Sequence, residues 1–248
     1  MAVGNPFFSV IMVTKNSSFT IGKSLQSLKD QTCSDFELIV QDSNSRDDTI
    51  KIALSFFKDA KVSVEADSGI YNGINKALER CKGKFIFFLH SNDELYDDEV
   101  LAEVKKFLKK HDNIEMYAGG CKLSVNHYIH RVWWPTNLFQ RTLGLNSIPP
   151  HTSTFVKRSI FKMIGNFNES YNISADFDWL ERALRALDGT KIARKRRLIC
   201  KMSSGGASSN YKRSYFEDVN VAREYYRFPR LTISLKKLRK LLQLRIGG

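Results

Sequence analysis

Polar side chains follow directly after a long apolar run, at a position where a metal ion or a phosphate group could bind. Residues 85–89 read Phe-Ile-Phe-Phe-Leu, and Ser91, Asn92 and Asp93 come shortly after them. An unbroken apolar run is typical of a buried parallel strand, and ligands of an open α/β sheet lie beyond the carboxyl ends of its strands. Asp93 is therefore a candidate ligand of a hard divalent cation.

Three earlier apolar runs end in the same manner. The polar residues that follow them are Thr14, Lys15 and Asn16 after the first, Asp42 after the second, and Asp67 and Gly69 after the third. Segments with helical spacing separate the runs, so we expect parallel strands joined by right-handed crossovers. The four polar loops then emerge at one edge of the sheet, which predicts a single polar cleft there.

The elements that must position these residues alternate regularly in the first half of the chain. The pattern predicts strands over 7–14, 36–40, 62–65 and 85–89 and helices over 20–30, 47–57, 72–81 and 100–110. After residue 120 the alternation is lost, although strands over 116–120 and 152–156 and helices over 160–164, 174–187 and 215–226 are expected. We predict one compact domain over 1–228, with halves 1–98 and 99–228, and an appendage over 229–248.

Two of the segments carry a resemblance to a known family. Residues 65–77 read EADSGIYNGINKA, and residues 91–93 read SND. Together they closely resemble family 2 of the inverting glycosyltransferases, in which a D-x-G-I-Y-D-A-M-N-K-like block precedes a strand that ends in a D-x-D-like motif. The resemblance covers about residues 7–210, but Ser91 stands where the first carboxylate of that motif is expected. It implies an α/β fold of the GT-A type, a Rossmann-like and mostly parallel sheet flanked by helices.

The resemblance also implies a donor site for a UDP-sugar. The base and ribose would be held by the loop that contains Thr14, Lys15 and Asn16, and by Asp42, whose carboxylate favours uracil over cytosine. The expected contacts of the sugar-nucleotide are Asp67, Gly69, Tyr71, Asn75, Lys76, Ser91 and Asn92. A plain turn or loop cap is the alternative for Asp42, and an exposed helix surface is the alternative for Asn75 and Lys76.

A metal ion and a catalytic base complete the expectation. By resemblance, Asp93 would bind Mn²⁺ or Mg²⁺ that neutralises the departing diphosphate, and His151 would touch the metal or the phosphates, unless it is structural. Asp176 matches the base that deprotonates the acceptor hydroxyl in an inverting transfer. Asp178 and Trp179 would lie on the acceptor side. The alternative for Asp176 is a simple cap of the helix that begins there.

Charge and cysteine content restrict the other classes of function. The net charge is +13 and the pI is about 9.6, which favours anionic partners. The basic residues are dispersed or lie in the tail, and no RNA-binding aromatic motif is visible, so nucleic acid is not expected. A nucleotidyltransferase would carry a glycine-rich loop after the first strand, which is missing. The four scattered cysteines suggest free thiols in a reducing compartment. A non-catalytic homologue stays open because of Ser91, and a basic α/β protein that binds nucleic acid or another anion stays open because of the charge.

Two further segments have ambiguous roles. The basic run Arg194–Arg197 could cover phosphates or solubilise a turn. Gly205 and Gly206 resemble a flexible G-G-x-S segment that would close over the donor and exclude water.

The last segment predicts a basic amphipathic helix. Leu231, Leu235, Leu238 and Leu242 recur at steps of four, three and four, with Lys and Arg on the other faces. This pattern is typical of a helix on an anionic membrane surface, and the alternative is a helix docked on the domain. With the family resemblance it implies a cytoplasmic protein, peripheral on the inner face of the membrane. The implied acceptor is a saccharide on undecaprenyl diphosphate, as in O-antigen and lipopolysaccharide assembly, and the donor sugar a hexose or N-acetylhexosamine.

Overall fold

The chain folds around one mixed β-sheet with helices packed on it. The structure is a computed structural model that describes residues 4–125, 128–135, 148–203 and 211–246. Within these ranges the strands are β1 Phe8–Thr14, β2 Phe36–Asp42, β3 Lys61–Val64, β4 Phe85–Phe88, β5 Asp93–Leu95, β6 Met116–Val125, β7 Tyr128–Trp133, β8 Thr154–Lys157 and β9 Ile192–Ser203. The α-helices are α1 Ile21–Lys29, α2 Thr49–Phe56, α3 Ile70–Glu79, α4 Val100–Lys110, α5 Arg158–Ile164, α6 Ala175–Ala186, α7 Tyr211–Tyr225 and α8 Pro229–Ile246.

The strand order places the ends of the first four strands side by side. The sheet runs β3-β2-β1-β4-β8-β6-β9-β5, and β7 pairs with β6. β2 and β4 flank β1 in parallel, and β3 is parallel to β2, so Thr14, Asp42 and Val64 lie in register at one edge. β8 is antiparallel to β4 and begins the second half of the sheet. The predicted parallel half and the predicted α/β class are confirmed.

Continuous apolar strands explain why this half of the sheet is central. The side chains of β4 are all buried, since helices cover both faces. On one face Phe87 stacks on Phe155 of β8, with ring centroids 4.4 Å apart. Ile21, Leu25 and Leu28 of α1 bury the helical stripe that the sequence shows on the same side.

Three strands of the second half were absent from the sequence prediction: β5, β7 and β9. The basic run Arg194–Arg197 lies inside β9 rather than in a turn. Arg197 donates to both carboxylate oxygens of Asp97 at 2.6 and 2.7 Å, and the ammonium of Lys195 lies over the ring of Phe107, so neighbours satisfy these two charges. A strand with a charged centre lacks the apolar run or alternation that identifies a strand from sequence.

The C-terminal helices α7 and α8 pack as a hairpin on α6. Val219, Ala222 and Ile233 form a small buried cluster between them, against which Phe177 and Tyr226 pack. In the described part of the chain, no helix is both long and apolar enough to cross a membrane. Leu242 and the predicted Gly205-Gly206 loop lie outside the residues whose side chains are described.

The cysteines match the reading of unpaired thiols. Cys33, Cys81, Cys121 and Cys200 are all free and buried.

Candidate active site

The ends of β1 and β2 are joined by a buried carboxylate. Asp42 is fully buried, and its Oδ2 accepts hydrogen bonds from the hydroxyls of Thr14, at 2.7 Å, and Ser45, at 2.6 Å. Its Oδ1 accepts from the backbone N–H of Ser45 at 2.7 Å. A buried carboxylate needs such donors. Asp42 thereby holds the two loops together, and its predicted contact with a base stays a prediction.

The loop after β1 is anchored on the loop after β2. The backbone N–H of Asn16 donates to Ser45 Oγ at 2.7 Å, and Asn16 Oδ1 accepts from the N–H of Arg46 at 2.9 Å. Asn16 and Asn44 have positive φ angles of 48° and 51°, a conformation that asparagine tolerates. The side chain of Lys15 stays exposed beside them.

Asp67 lies between β3 and α3 with one oxygen unsatisfied. Its Oδ1 accepts from the N–H of Gly69 at 3.2 Å, but its Oδ2 is buried without a hydrogen-bond partner. Gly69 has φ 147°, which favours glycine. A Cβ at Gly73 would lie 3.0 Å from Val13 and 3.2 Å from Asp67 Oδ2, so this glycine makes room for the carboxylate. An orphaned buried oxygen of this kind is a candidate contact for a ligand hydroxyl or cation.

The three predicted side chains of α3 do different things. Tyr71 is buried and donates its hydroxyl to the carbonyl of Ile173, at 2.6 Å, and to Asp176 Oδ1, at 3.2 Å. Asn75 is also buried and bonds both backbone groups of Phe167. Lys76 donates to Glu65, at 2.9 Å, and to the carbonyl of Ala66. Tyr71 thus reaches the predicted base, whereas Asn75 and Lys76 brace neighbouring loops.

The segment after β4 places its carboxylate in an apolar environment. Ser91 donates its hydroxyl to Ser17 Oγ at 3.1 Å, which ties this loop to the one after β1. Asp93 opens β5 and is 2% exposed, and the one hydrogen bond described for its carboxylate comes from the N–H of Ser203 at 3.4 Å. Burial raises the pKa of Asp93 to about 7, although the Ser203 amide and His151 oppose the shift. Asn92 lies half-buried between the two.

A chain of three side chains connects Asp176 to the segment after β4. His151 Nδ1 lies 3.1 Å from Asp176 Oδ2, and His151 Nε2 lies 2.8 Å from His90 Nε2. Burial, together with the charge of His151, lowers the pKa of His90 to about 3, so His90 is neutral. His151 Nδ1 thus faces the Asp176 carboxylate, and one of the two facing Nε2 atoms of His90 and His151 donates to the other.

The surroundings of Asp176 keep it ionised. Burial alone would raise the pKa of Asp176, but the hydrogen bond and charge of His151, the N–H of Phe177 at 2.8 Å and the Tyr71 hydroxyl together lower it. The carboxylate is 29% exposed and stands at the start of α6. An ionised, half-buried carboxylate is suited to accept a proton.

The other two predicted residues of α6 do not join Asp176. Asp178 accepts from Tyr225, at 2.8 Å, and forms an ion pair with Arg182, at 2.9 Å. Trp179 is buried, stacks on Phe161 and donates to the carbonyl of Gly165 at 2.8 Å. Helical residues two apart point in different directions, which separates Asp178 from the side of Asp176. Binding roles for both stay predictions without a supporting contact.

Sequence reasoning missed several residues that shape the site. His90 was passed over although it precedes Ser91. Glu217 of α7 accepts from the N–H groups of Ile173, at 2.7 Å, and Ser174, at 3.1 Å, just before α6. Asp218 accepts from the Ser174 hydroxyl at 2.7 Å. The contacts of Glu217 and Asp218 join segments more than 40 positions apart, so nothing in the local sequence marks these residues.

Asp93 fits a divalent cation and His151 does not. Asp93 is a buried carboxylate that accepts one long hydrogen bond. A bound cation would satisfy its negative charge. Both ring nitrogens of His151 already have partners. Among the described residues, no group of three or more His, Cys, Asp or Glu side chains could hold a metal ion. A cation at Asp93 would therefore take further ligands from the substrate phosphates and water, as is usual for Mg²⁺.

Comparison with known proteins gives a consistent picture. Residues 9–165 match the family described as glycosyl transferase family 2. The chain is 30% identical over 178 residues to the PGL/p-HBAD biosynthesis glycosyltransferase of Mycobacterium tuberculosis, an alignment that covers 70% of this chain and 68% of that protein.

Solved structures share the fold. The structure of Staphylococcus aureus TarS residues 1–349 with UDP-GlcNAc matches with a TM-score of 0.68 and 22% identity, covering 88% of this chain and 66% of that chain. The mannosyltransferase PcManGT of Pyrobaculum calidifontis, in complex with GDP-Man and Mn²⁺, matches with a TM-score of 0.65 and 18% identity, covering 98% and 73%. This chain therefore spans about two thirds of the length of the TarS fragment.

Proposed function

The chain belongs to glycosyl transferase family 2, and from that membership we propose an inverting, metal-dependent transfer of a hexose or N-acetylhexosamine from a UDP-sugar. The observation that carries the proposal is a continuous set of contacts across the site. Tyr71 reaches Asp176, His151 joins Asp176 to His90, and the neighbouring Ser91 bonds Ser17. Tyr71, at the start of α3, and His151 thus contact one ionised carboxylate, and His151 connects it to the segment after β4.

The donor is proposed to bind along the ends of β1 to β4. Asp42 fixes the loops that would hold the base, and Asp67 Oδ2 offers an unsatisfied acceptor for a hydroxyl of the donor. The N-terminus of α3 lies beside it and favours anions. UDP is the proposed nucleotide because the related TarS structure holds UDP-GlcNAc.

Asp176 is proposed to act as the general base. Its carboxylate takes the proton of the acceptor hydroxyl as that oxygen attacks the anomeric carbon, and the bond from the anomeric carbon to the diphosphate oxygen breaks with inversion. The electron pair of that bond leaves with UDP. The Tyr71 hydroxyl and His151 hold the carboxylate in place and keep it ionised until the acceptor arrives. A Mn²⁺ or Mg²⁺ ion bound at Asp93 would neutralise charge on the leaving diphosphate.

The proposed acceptor is a hydroxyl of a saccharide carried on undecaprenyl diphosphate, as in O-antigen and lipopolysaccharide synthesis. The protein would work as a peripheral protein on the inner face of the cell membrane. Support comes from the family, from the relative named for PGL/p-HBAD biosynthesis, and from the basic charge of the chain. A lipid-linked substrate requires that the enzyme approach the membrane surface.

A hydrolysis screen tests the proposal directly. Purified protein is incubated with UDP-, GDP- and dTDP-sugars and Mn²⁺, Mg²⁺ or EDTA, and release of the nucleotide is measured. We expect release from one UDP-sugar that depends on the metal and is lost in Asp93→Asn. Release from no donor under any metal condition would indicate a non-catalytic homologue, and release that persists in EDTA would contradict the metal.

A further inference from the structure

The apolar and charged side chains of α8 are arranged in the opposite way to those of a helix that docks on the domain through its leucines. Such a helix buries its leucines and exposes its lysines. Here the exposed fractions of Leu231 and Leu238 are 58% and 52%, whereas Lys237 is 7% exposed. Apolar side chains seven positions apart lie on one helix face, so the two leucines share the outward side.

The lysines of α8 face acidic side chains of the domain. Lys237 lies 3.8 Å from Asp218, and Lys236 lies 3.8 Å from Glu181. The ammonium of Lys236 also lies over the ring of Phe177, 4.2 Å from its centroid. Lysines are rarely buried unless they are paired. These pairs, with Ile233 in the apolar cluster, attach α8 to α7 and α6 and fix which face points outward.

The exposed side chains of the α7–α8 hairpin are largely apolar or basic. Phe228 precedes α8 and is 61% exposed, and Phe216 of α7 is 67% exposed. The exposed charged residues of the described hairpin are Lys212, Arg213, Arg223, Glu224, Arg227 and Arg230. Positive charge therefore prevails around large exposed apolar side chains, a combination that marks an interaction surface for an anionic partner.

We infer that the outward face of the α7–α8 hairpin binds an anionic phospholipid surface. Leu231, Leu238 and Phe228 would enter the boundary between headgroups and acyl chains, and Arg227 and Arg230 would contact lipid phosphates. The inference deepens the proposed peripheral membrane location. The role of this surface in catalysis rests on the proposed function, whereas its binding to lipid does not.

The inferred surface also has a fixed relation to the site. Asp218, which pairs with Lys237, accepts the Ser174 hydroxyl, and the adjacent Glu217 holds the backbone just before Asp176. A bilayer bound to α8 would thus be connected to the base through one short run of contacts. A lipid-linked acceptor held in that bilayer would be presented beside the helix that carries the base.

Flotation with vesicles tests the inference without any transfer assay. We expect binding to vesicles of phosphatidylcholine with phosphatidylglycerol, no binding to phosphatidylcholine alone, and weakening as salt rises. Two double variants should each lower the partition coefficient into these vesicles by about tenfold or more: Leu231→Ser with Leu238→Ser, and Arg227→Glu with Arg230→Glu. The matched controls are Met163→Ser, which replaces an exposed apolar residue of α5, and Lys23→Glu with Lys58→Glu. These should bind as the wild type does.

Several outcomes would overturn the inference. They are wild-type binding to neutral and anionic vesicles alike, unchanged binding by both pairs of variants, or no vesicle binding with a dimer in sedimentation velocity that the leucine variants abolish. Donor hydrolysis, measured on the same samples, separates the two proposals. A wild-type protein that hydrolyses the donor but binds no vesicles would refute the surface alone, and a wild-type protein that binds vesicles but hydrolyses no donor would refute the transferase alone.

Discussion

The two sides of the site are held in place by different kinds of contact. On the side of β1 to β4, strand register sets the geometry, and short-range bonds such as Ser45 to Asp42 finish it. On the other side, Asp176 is positioned by Tyr71 and His151, and its helix by Glu217. The comparison teaches that the first side can lose single polar bonds and keep its shape, whereas the second depends on a few side chains from distant segments.

The largest effect should come from Asp176, the proposed base. Asp176→Asn keeps the size of the side chain but cannot accept a proton, so we expect the transfer rate to fall by about 10³ with UDP binding unchanged. Single-turnover transfer and calorimetric titration with UDP measure the two. Asp178→Asn is the matched control on the same helix. It breaks the ion pair with Arg182, so it should lower the melting temperature and leave the rate of the folded enzyme near that of the wild type. Near-full turnover by Asp176→Asn would remove the assignment.

Replacing Asp93 should have the next largest effect. It should lower turnover but raise stability above pH 7, which separates the two roles of the carboxylate. Asp93→Asn should lower metal-dependent turnover by about a hundredfold, since one carboxylate ligand of the cation is lost. Without metal, the raised pKa of Asp93 means that the wild type loses stability as pH rises from the ordinary aspartate range to about 7. The asparagine variant lacks this penalty, so above pH 7 it should melt at a higher temperature than the metal-free wild type.

Thermal melts with and without Mn²⁺ check this prediction. Mn²⁺ should raise the melting temperature of the wild type and of Glu94→Gln, a neighbouring acid on β5, but not that of Asp93→Asn. An equal rise in all three proteins would show that the cation binds elsewhere.

The sequence predicted the side of β1 to β4 better than the side of Asp176. The strands with unbroken apolar runs, β1 and β4, and the loops at their ends were predictable because burial on both faces leaves a clear signal. β9 was not, because its basic centre is satisfied by Asp97, Glu103 and an aromatic ring, which only tertiary structure brings together. Asp176 was predicted as the base from family resemblance alone, and its contacts could not be predicted because Tyr71 lies 105 positions away and His151 in another segment. The leucine spacing of α8 was visible in the sequence, but the burial of its lysines was not, because their partners Asp218 and Glu181 come from other helices.

A smaller effect should follow from removing the hydrogen bond of His151. The lowered pKa of Asp176 keeps the base ionised, so wild-type activity should fall only as pH drops through that lowered value. His151→Gln removes the imidazole that offsets the effect of burial on the pKa of Asp176. That pKa should therefore rise, and the acid limb of the rate profile should move to higher pH. We also expect the rate at neutral pH to fall by about tenfold. The control is His111→Gln, which follows α4 and packs on Phe107. An unchanged acid limb in His151→Gln would show that His151 does not control the base.

The smallest effect should come from Glu217, which acts on the base only through the backbone. Glu217→Ala frees the N–H groups of Ile173 and Ser174, so the start of α6 gains freedom and Asp176 spends less time in position. We expect kcat to fall about threefold to tenfold with KM for the donor unchanged, because the donor side of the site is held by other bonds. Glu217→Gln retains an acceptor oxygen and should restore most of kcat, whereas Glu224→Ala, an exposed acid on the same helix, should change nothing. A rise in donor KM without a change in kcat would show that α7 acts on the side of β1 to β4. The proposed difference between the two sides of the site would then be wrong.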